Sequence, residues 1–239
     1  MPLPTITTPT YELNLPSTGK KIKYRPFLVK EEKILILALE TRDQNQITNA
    51  VKDVLKKCVI TRGIKIDDLP TFDIEYLFLN IRGKSVGEQV EVNLICPDDE
   101  TTEVKVKINL DDIKVQKQED HTDKIKVNDD IMLQMKYPSL DQFIKNNFDF
   151  SEGASMDKSF ELVASCIGTI FTEEDAWSSS DCTKKEMLDF LESMNASQFK
   201  EIEKFFETMP KLSHTIKIRN PNTKVQSEVL LEGLASFFG

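Results

Sequence analysis

Alternating hydrophobic and polar residues near the N-terminus predict a β-hairpin. The alternation covers residues 11–15 and returns over residues 22–24, with Pro16-Ser17-Thr18-Gly19 between them. Successive side chains of a strand point to opposite faces, and proline, serine and glycine are typical of turns. Residues 1–10 contain three prolines and four threonines. We predict that they form a flexible arm.

After Pro26 the pattern changes to that of helices. Lys30-Glu31-Glu32-Lys33 places acidic residues where a helix begins, near its positive end. Aliphatic residues over 34–39 then cover most of the helix circumference. Such a helix is either buried by neighbours on several sides or bound by another protein.

Two further helices follow in the predicted N-terminal region. Residues 47–58 carry an apolar face at helical spacing, with Asp43 or Asn45 as the cap and Gly63 as the stop. A third helix is predicted over residues 72–82, closed by Gly83.

From residue 90 onward, segments with the periodicity of strands and segments with the periodicity of helices follow one another. Period-two segments at residues 90–96 and 104–110 predict an antiparallel hairpin, and residues 125–127 and 131–135 a further strand pair. Residues 139–210 carry helical patterns. Within them we predict a helix over 140–148, a helical stripe from Phe160 to Phe171, a loop over 177–181, and helices over 184–194 and 199–209. Strands return at residues 214–219 and 224–231.

These elements predict an α+β fold in which antiparallel β-hairpins pack with helices, beside a small helical lobe. We expect a flexible arm (1–10) and an α+β domain (11–137) that contains the hairpin, three helices and a β meander. A helical lobe (138–212) follows. The C-terminal β-hairpin and tail (213–239) are expected to pack on the sheet region of residues 11–137.

Composition and net charge disfavour several classes of protein. The chain has 239 residues, of which 39% are hydrophobic and 30% charged, and its net charge is -9. This charge disfavours nucleic-acid binding. No apolar run approaches the roughly 18 residues of a membrane span, so we expect a soluble protein that does not bind membranes. The N-terminus lacks the pattern of a secretory signal. The four cysteines have no paired spacing, so we expect reduced thiols in a cytoplasm.

Candidate catalytic and metal-binding residues are few. His121 and His214 are the only histidines, and a hydrolase or metalloenzyme would have to use one of them with nearby carboxylates. A zinc ribbon at Cys96-Pro97 would need a cysteine where Asp99 stands, and a second pair downstream. No glycine-rich phosphate loop is present. We therefore predict no catalytic residue, cofactor, metal or small-molecule substrate, and keep the histidine enzyme as the alternative.

Surfaces for partner proteins are the remaining candidate sites. They are a basic cluster on the predicted hairpin, the apolar helix and the aromatic tail. The basic cluster could also be a hydrated strand edge, the helix an ordinary core element, and the tail docked on its own domain. The candidate partner-binding residues are Lys20, Lys21, Lys23, Arg25, Ile34, Leu35, Ile36, Leu37, Phe237 and Phe238.

Several strings of residues resemble those of a known viral family. They are Pro9-Thr10-Tyr11-Glu12-Leu13, Leu15-Pro16-Ser17-Thr18-Gly19-Lys20, Tyr24-Arg25-Pro26-Phe27, Val29-Lys30-Glu31-Glu32-Lys33 and Phe72-Asp73-Ile74-Glu75-Tyr76-Leu77. Together they resemble the T-even-type myovirus baseplate hub and baseplate assembly protein family of bacteriophages. The resemblance is densest over residues 9–97.

This resemblance implies a structural or morphogenesis protein without enzymatic activity. Its partners would be phage baseplate hub and tape-measure proteins, and it would act in the host bacterial cytoplasm during assembly and then in the virion tail baseplate. An alternative is a transient chaperone of the tape-measure protein that is absent from mature virions.

Overall fold

The fold, seen in a computed structural model that describes residues 6–145, 156–233 and 235–238, combines helices with small antiparallel sheets. This confirms the predicted α+β class. The strands are β1 (Tyr11–Asn14), β2 (Lys21–Tyr24), β3 (Gln89–Ile95), β4 (Glu103–Asn109), β5 (Lys114–Gln116), β6 (Lys124–Lys126), β7 (Met132–Met135), β8 (Ile167–Phe171), β9 (Ala176–Ser178), β10 (Lys211–Arg219) and β11 (Gln226–Glu232). The helices are α1 (Val29–Thr41), α2 (Gln44–Cys58), α3 (Thr71–Val86), α4 (Leu140–Lys145), α5 (Met156–Cys166), α6 (Lys184–Glu192), α7 (Ala196–Thr208) and α8 (Ala235–Phe238).

Contacts divide the chain into two units. Unit 1 comprises residues 1–116 and 211–239, and unit 2 comprises residues 117–210. The strands β6 and β7 therefore group with the segment that follows them, whereas the sequence prediction grouped them with the preceding domain.

The N-terminal hairpin of β1 and β2 is confirmed, with Tyr11 opposite Tyr24. Gly19 has φ +68°, a left-handed conformation that glycine adopts without steric cost. At the turn, the Ser17 backbone N–H donates to Asp73 Oδ1 at 3.0 Å, and the Ser17 hydroxyl donates to Asp73 Oδ2. Asp73 is buried in the first turn of α3, so these bonds tie the hairpin to that helix.

Helices α1 and α2 pack against each other. The Asp43 side chain caps α2 as predicted, by accepting hydrogen bonds from the backbone N–H groups of Asn45 and Gln46. The helix ends at Cys58, short of the predicted stop at Gly63. It ends there because the chain turns to pair with β2, where the Ile60 N–H donates to the Lys23 carbonyl at 2.8 Å. Tertiary pairing, rather than the glycine, ends this helix.

Helix α3 continues through Gly83, so the predicted stop at that residue is wrong. Gly83 is buried inside the helix and lies beside Leu110. A glycine in a helix costs only about 1 kcal/mol relative to alanine, which tertiary packing readily offsets. The helix ends instead before Gly87, whose φ of +137° favours glycine.

The core of unit 1 lies among α3, the hairpin β3–β4 and the sheet β11–β10–β5. The hairpins over residues 89–109 and 211–232 confirm the predicted strand pairs. Strand β10 begins at Lys211, earlier than predicted, because its first residues pair with β5. The buried residues of this core are Leu79, Val90, Val92, Leu94, Cys96, Ile108, Leu110, Ile113, Leu212, Ile216, Ile218, Leu231 and Phe237.

A hydrogen-bonded cluster joins the tips of these two hairpins, and we call it the hairpin-tip clasp (Asp98, Asp99 and Asn220). Asn220 Nδ2 lies 3.1 Å from both carboxylate oxygens of Asp98 and 2.8 Å from Asp99 Oδ2. Hydrogen bonds from Thr102 and Asn220 hold the pKa of Asp99 far below its usual value. One buried amide therefore donates hydrogen bonds to two carboxylates, and one of these, Asp99, stands where a zinc ribbon would carry a cysteine.

Unit 2 packs helices α5, α6 and α7 on one face of the four-stranded sheet β6–β7–β8–β9. The strand pair β6–β7 confirms the prediction for residues 125–135. The capping box of Thr183 and Glu186 opens α6 as its sequence indicates. The predicted helix over 140–148 is α4 as far as Lys145, and residues 146–148 lie outside the described chain.

Two predictions within residues 139–210 are wrong, and in both cases the structure has a strand at the residues concerned. Residues 167–171, predicted to continue a helix, form β8 between β7 and β9. Gly168 allows this pairing, since a Cβ at that position would lie 2.9 Å from the Gln134 carbonyl oxygen. Trp177, predicted in a loop, lies in the edge strand β9 opposite Ile170. The segment is therefore mainly helical but also contributes two strands to a sheet.

We expect Asn220→Ala to lower the free energy of unfolding of unit 1 by about 1–2 kcal/mol, because a buried amide loses several hydrogen bonds at once. Asn222→Ala is the matched control, since Asn222 is an exposed neighbour whose side chain donates to Thr102 Oγ1. Urea unfolding followed by far-UV circular dichroism measures both variants. Equal stability of the two would contradict a stabilising role for the clasp.

Candidate partner-binding surface

A buried ion pair sets the beginning of α1. Arg25 Nη2 lies 3.2 Å from Glu31 Oε1, and the Leu28 backbone N–H donates to Glu31 Oε2 at 2.7 Å. Only 1% of Glu31 is exposed. Burial alone would raise the pKa of Glu31, but the hydrogen bonds from Arg25 and Leu28 lower it. We call this arrangement the α1 fork (Arg25, Leu28 and Glu31).

The same arginine ties the fork to neighbouring segments. The Arg25 guanidinium donates to the Pro26 carbonyl at 2.8 Å, and the Arg25 backbone N–H donates to the Cys58 carbonyl at 3.0 Å. The end of β2, the start of α1 and the end of α2 therefore meet at one residue.

Beyond the fork, α1 packs with only one side. Among its described residues, Glu31 and Ala38 are the buried ones, and Ile34 and Leu35 are partly buried against α2. The rest of its circumference carries aliphatic residues in solvent, which we call the α1 apolar face. Its members and their exposed fractions are Val29 (80%), Ile36 (51%), Leu37 (51%) and Leu39 (59%).

An aliphatic surface of this kind is a candidate site for another molecule. Removing each of these side chains from water would contribute about 1 kcal/mol, since each is already partly covered by its own chain. Contiguous exposed apolar side chains are unusual on soluble proteins and mark interaction surfaces. The predicted partner-binding residues include Ile36 and Leu37 but leave out Val29 and Leu39, which the structure also shows to be exposed. The buried positions of Glu31 and Ala38 define the opposite side of the helix, and this information was absent from the sequence pattern.

Two lysines of the predicted basic cluster share one acidic neighbour. Lys21 Nζ and Lys23 Nζ lie 2.5 and 3.3 Å from the carboxylate of Glu12 on the adjacent strand. Arg25 belongs to the α1 fork, and Lys20 is exposed at the hairpin turn. Lys20, Lys21 and Lys23 are all exposed, so the hydrated strand edge and the surface for an acidic partner both stay predictions.

Of the two phenylalanines in the aromatic tail, the structure describes the side chain of Phe237. Phe237 is buried in the core of unit 1, as the intramolecular alternative expected, so it is not part of an exposed surface. The side chain of Phe238 lies outside the described part of the chain. Of the residues predicted to bind partners, the structure brings Ile36 and Leu37 together in the α1 apolar face.

His121 is one of the two histidines that the enzymatic alternative would use. It is buried in unit 2, and both of its ring nitrogens are hydrogen-bonded. Nδ1 lies 2.9 Å from Thr208 Oγ1, and Nε2 lies 2.9 Å from the Tyr137 hydroxyl. The Thr208 hydroxyl donates to the Lys204 carbonyl, so it accepts from His121 Nδ1–H. Nε2 then accepts from the Tyr137 hydroxyl. This neutral tautomer has no lone pair left for a metal or a substrate.

A small cavity lies beside this histidine. It has a volume of about 130 Å³ and is lined by Asp120, Thr122, Lys124, Ile125, Lys126, Glu201, Lys204, Phe205 and Thr208. Lys204 pairs with Asp120 at 3.0 Å. The lining has no cysteine or serine that His121 could activate. His214, the other candidate, is half-buried on β10 opposite Leu231 in unit 1.

The cysteines and acidic residues do not form a metal site within the described chain. No group of three or more histidine, cysteine, aspartate or glutamate residues there has the arrangement to hold a metal ion. Burial raises the pKa of Cys58 to about 11 and that of Cys166 to about 12, so both thiols are protonated near neutral pH. The helices in the described part of the chain are too short or too polar to cross a membrane.

We expect Arg25→Ala to lower the free energy of unfolding by about 2–4 kcal/mol, since it leaves the Glu31 carboxylate buried without its charged partner. Lys23→Ala removes a positive charge two residues away that is exposed and should change stability by less than about 0.5 kcal/mol. Urea unfolding of unit 1 measures both. A small effect of Arg25→Ala would mean that water replaces the guanidinium at the fork.

His121 should make unit 2 less stable in mild acid. Burial, with a smaller contribution from Lys117, lowers the pKa of His121 below its usual value of 6.5, against opposing effects of Asp120 and Asp123. The unfolded chain therefore binds a proton more readily than the folded one. Stability falls as pH drops below the unfolded value.

The measurement uses Trp177, the single tryptophan, whose fluorescence reports on unit 2. His121→Gln keeps an acceptor for Tyr137 but cannot titrate. We expect the wild-type urea midpoint to fall more between pH 7.5 and 5.5 than that of His121→Gln. Equal falls would assign the acid sensitivity to other groups.

The chain was compared with protein families, curated proteins and solved structures. Neither the curated proteins nor the solved structures contain a match. The model of the family described as T4 bacteriophage base plate protein matches residues 8–239. This match spans both units and includes the α1 fork and the α1 apolar face, so the chain belongs to the T4 bacteriophage base plate protein family.

Proposed function

We infer that this chain is a non-enzymatic structural protein that helps to assemble the central hub of a contractile-tail baseplate. It acts through contacts with hub and tape-measure proteins, in the cytoplasm of the infected bacterium, and stays in the completed tail. Membership of a base plate family supports the baseplate as its place of action. The bonding of both His121 nitrogens supports a role that does not depend on that histidine as a catalyst.

The observation that carries this proposal is the α1 apolar face. Both units have a buried core of their own, so the aliphatic residues of α1 are not needed to complete either one. A side chain such as Val29, exposed over 80% of its surface, is stabilised only when another molecule covers it. The α1 fork holds the helix in place from its first turn, so little order has to be gained on binding.

The experiment replaces Ile36 with glutamate and uses Ile95→Glu as the matched control, because Ile95 is similarly exposed on β3. Tagged protein from infected cells should co-purify with hub or tape-measure proteins, and Ile36→Glu should reduce this capture about tenfold. Ile95→Glu should capture the same proteins as the wild type. Mass spectrometry of purified virions should detect the wild-type chain. Absence of both binding and incorporation would remove the proposal.

A transient chaperone of the tape-measure protein is the second candidate. It is favoured by the same exposed helix on units that have their own cores, since a chaperone must be stable alone and still present a surface to its client. Such a chaperone would be present in assembling tails and absent from mature virions. Quantitative mass spectrometry of both particles separates it from a permanent subunit.

A further inference from the structure

The α1 apolar face contains two opposite charges. Lys33 and Glu40 are both exposed and lie on the same side of the helix as Val29 and Ile36, because residues three, four and seven apart share a helix face. Neither belongs to an ion pair identified within the described residues. They sit on either side of Ile36 and Leu37, one toward each end of the apolar face.

The two charges cannot satisfy each other within one helix. They are seven residues apart, which corresponds to about 10.5 Å along the helix axis. A contact ion pair needs a separation of about 4 Å or less. Any molecule that covers Ile36 and Leu37 therefore meets a positive charge on one side and a negative charge on the other.

A second copy of the same helix matches this pattern when it lies antiparallel. In a two-fold symmetric contact, positions equally distant from the symmetry axis face each other. With the axis between Ile36 and Leu37, Ile36 packs on the second copy's Leu37, and Lys33 faces the second copy's Glu40. The symmetry repeats both contacts. A parallel pairing would instead place Lys33 against the second copy's Lys33.

From this self-complementary order we propose that the chain forms a homodimer through antiparallel contact of its α1 apolar faces. The proposal rests on the proposed function, in which the α1 apolar face binds proteins. It names a second copy of this chain as the first protein bound there. Ile36 and Leu37 are the aliphatic side chains that face each other in this pairing, so the interface is small, and the dimer should form at micromolar or higher concentration and weaken with added salt.

Charge exchange tests the pairing directly. Lys33→Glu alone creates two like-charge contacts, and so does Glu40→Lys alone, so each variant should dimerise about tenfold more weakly than the wild type. The double variant Lys33→Glu/Glu40→Lys restores opposite charges in both contacts and should dimerise like the wild type. An equimolar mixture of the two single variants should also dimerise, since each supplies the charge that the other lacks.

The measurement is sedimentation equilibrium over about 5–200 µM at low salt, with circular dichroism as a check on folding. Ile36→Glu should abolish dimerisation, and Ile95→Glu should leave it unchanged. A wild-type chain that stays monomeric throughout this range overturns the proposal. A dimer that Lys33→Glu does not weaken, or that the double variant does not restore, overturns it as well.

The same variants separate this proposal from the proposed function. Suppose that the wild type is monomeric, yet hub or tape-measure proteins co-purify with it and are lost with Ile36→Glu. The homodimer is then wrong, and the partner-binding role of α1 stands. Suppose instead that the charge variants change dimerisation as expected, but the chain neither binds hub proteins nor is present in virions. The homodimer then stands, and the role in the hub is wrong.

Discussion

The buried ion pair between Arg25 and Glu31 is the interaction on which the candidate surface depends. Taking two charges out of water is unfavourable, and here the unfavourable term is offset by hydrogen bonds from Leu28 and to Pro26 in addition to the ion pair. The result is a helix fixed at its first turn to a strand and to the end of α2. Because α1 is held from its end, it does not need to bury its whole circumference, and its aliphatic side can remain available.

The other elements of the chain are joined in a similar way. Ser17 binds Asp73, Asn220 binds Asp98, and His121 binds Thr208, and each bond connects segments far apart in sequence. Apolar burial stabilises each core without specifying direction, whereas a buried polar group is tolerated only when its particular partner is in place. These bonds therefore select which elements meet.

This division explains which features the sequence predicted. Hairpins such as β1–β2 and β3–β4 follow from alternation and turn residues that are neighbours in the chain, and the predicted capping residue Asp43 is a local effect too. The strand β8 was mistaken for helix because its partners β7 and β9 are set by tertiary pairing, which Gly168 permits. In the candidate surface, the sequence already shows that α1 is rich in aliphatic residues. Which of them are exposed depends on the α1 fork, whose acidic residue was recognised as favourable near a helix start but not as buried.

In the proposed contacts of the α1 apolar face, its charges would also affect specificity. A wholly aliphatic exposed helix would associate with many apolar surfaces, since burial is rewarded whatever the partner's sequence. Lys33 and Glu40 change this, because a partner without complementary charges would strip them of water and return no ion pair. Their attraction in a matched complex is modest at the surface of a protein. Their main effect is therefore to reject wrong partners, while Ile36, Leu37 and their neighbours supply the favourable free energy once the right one is aligned.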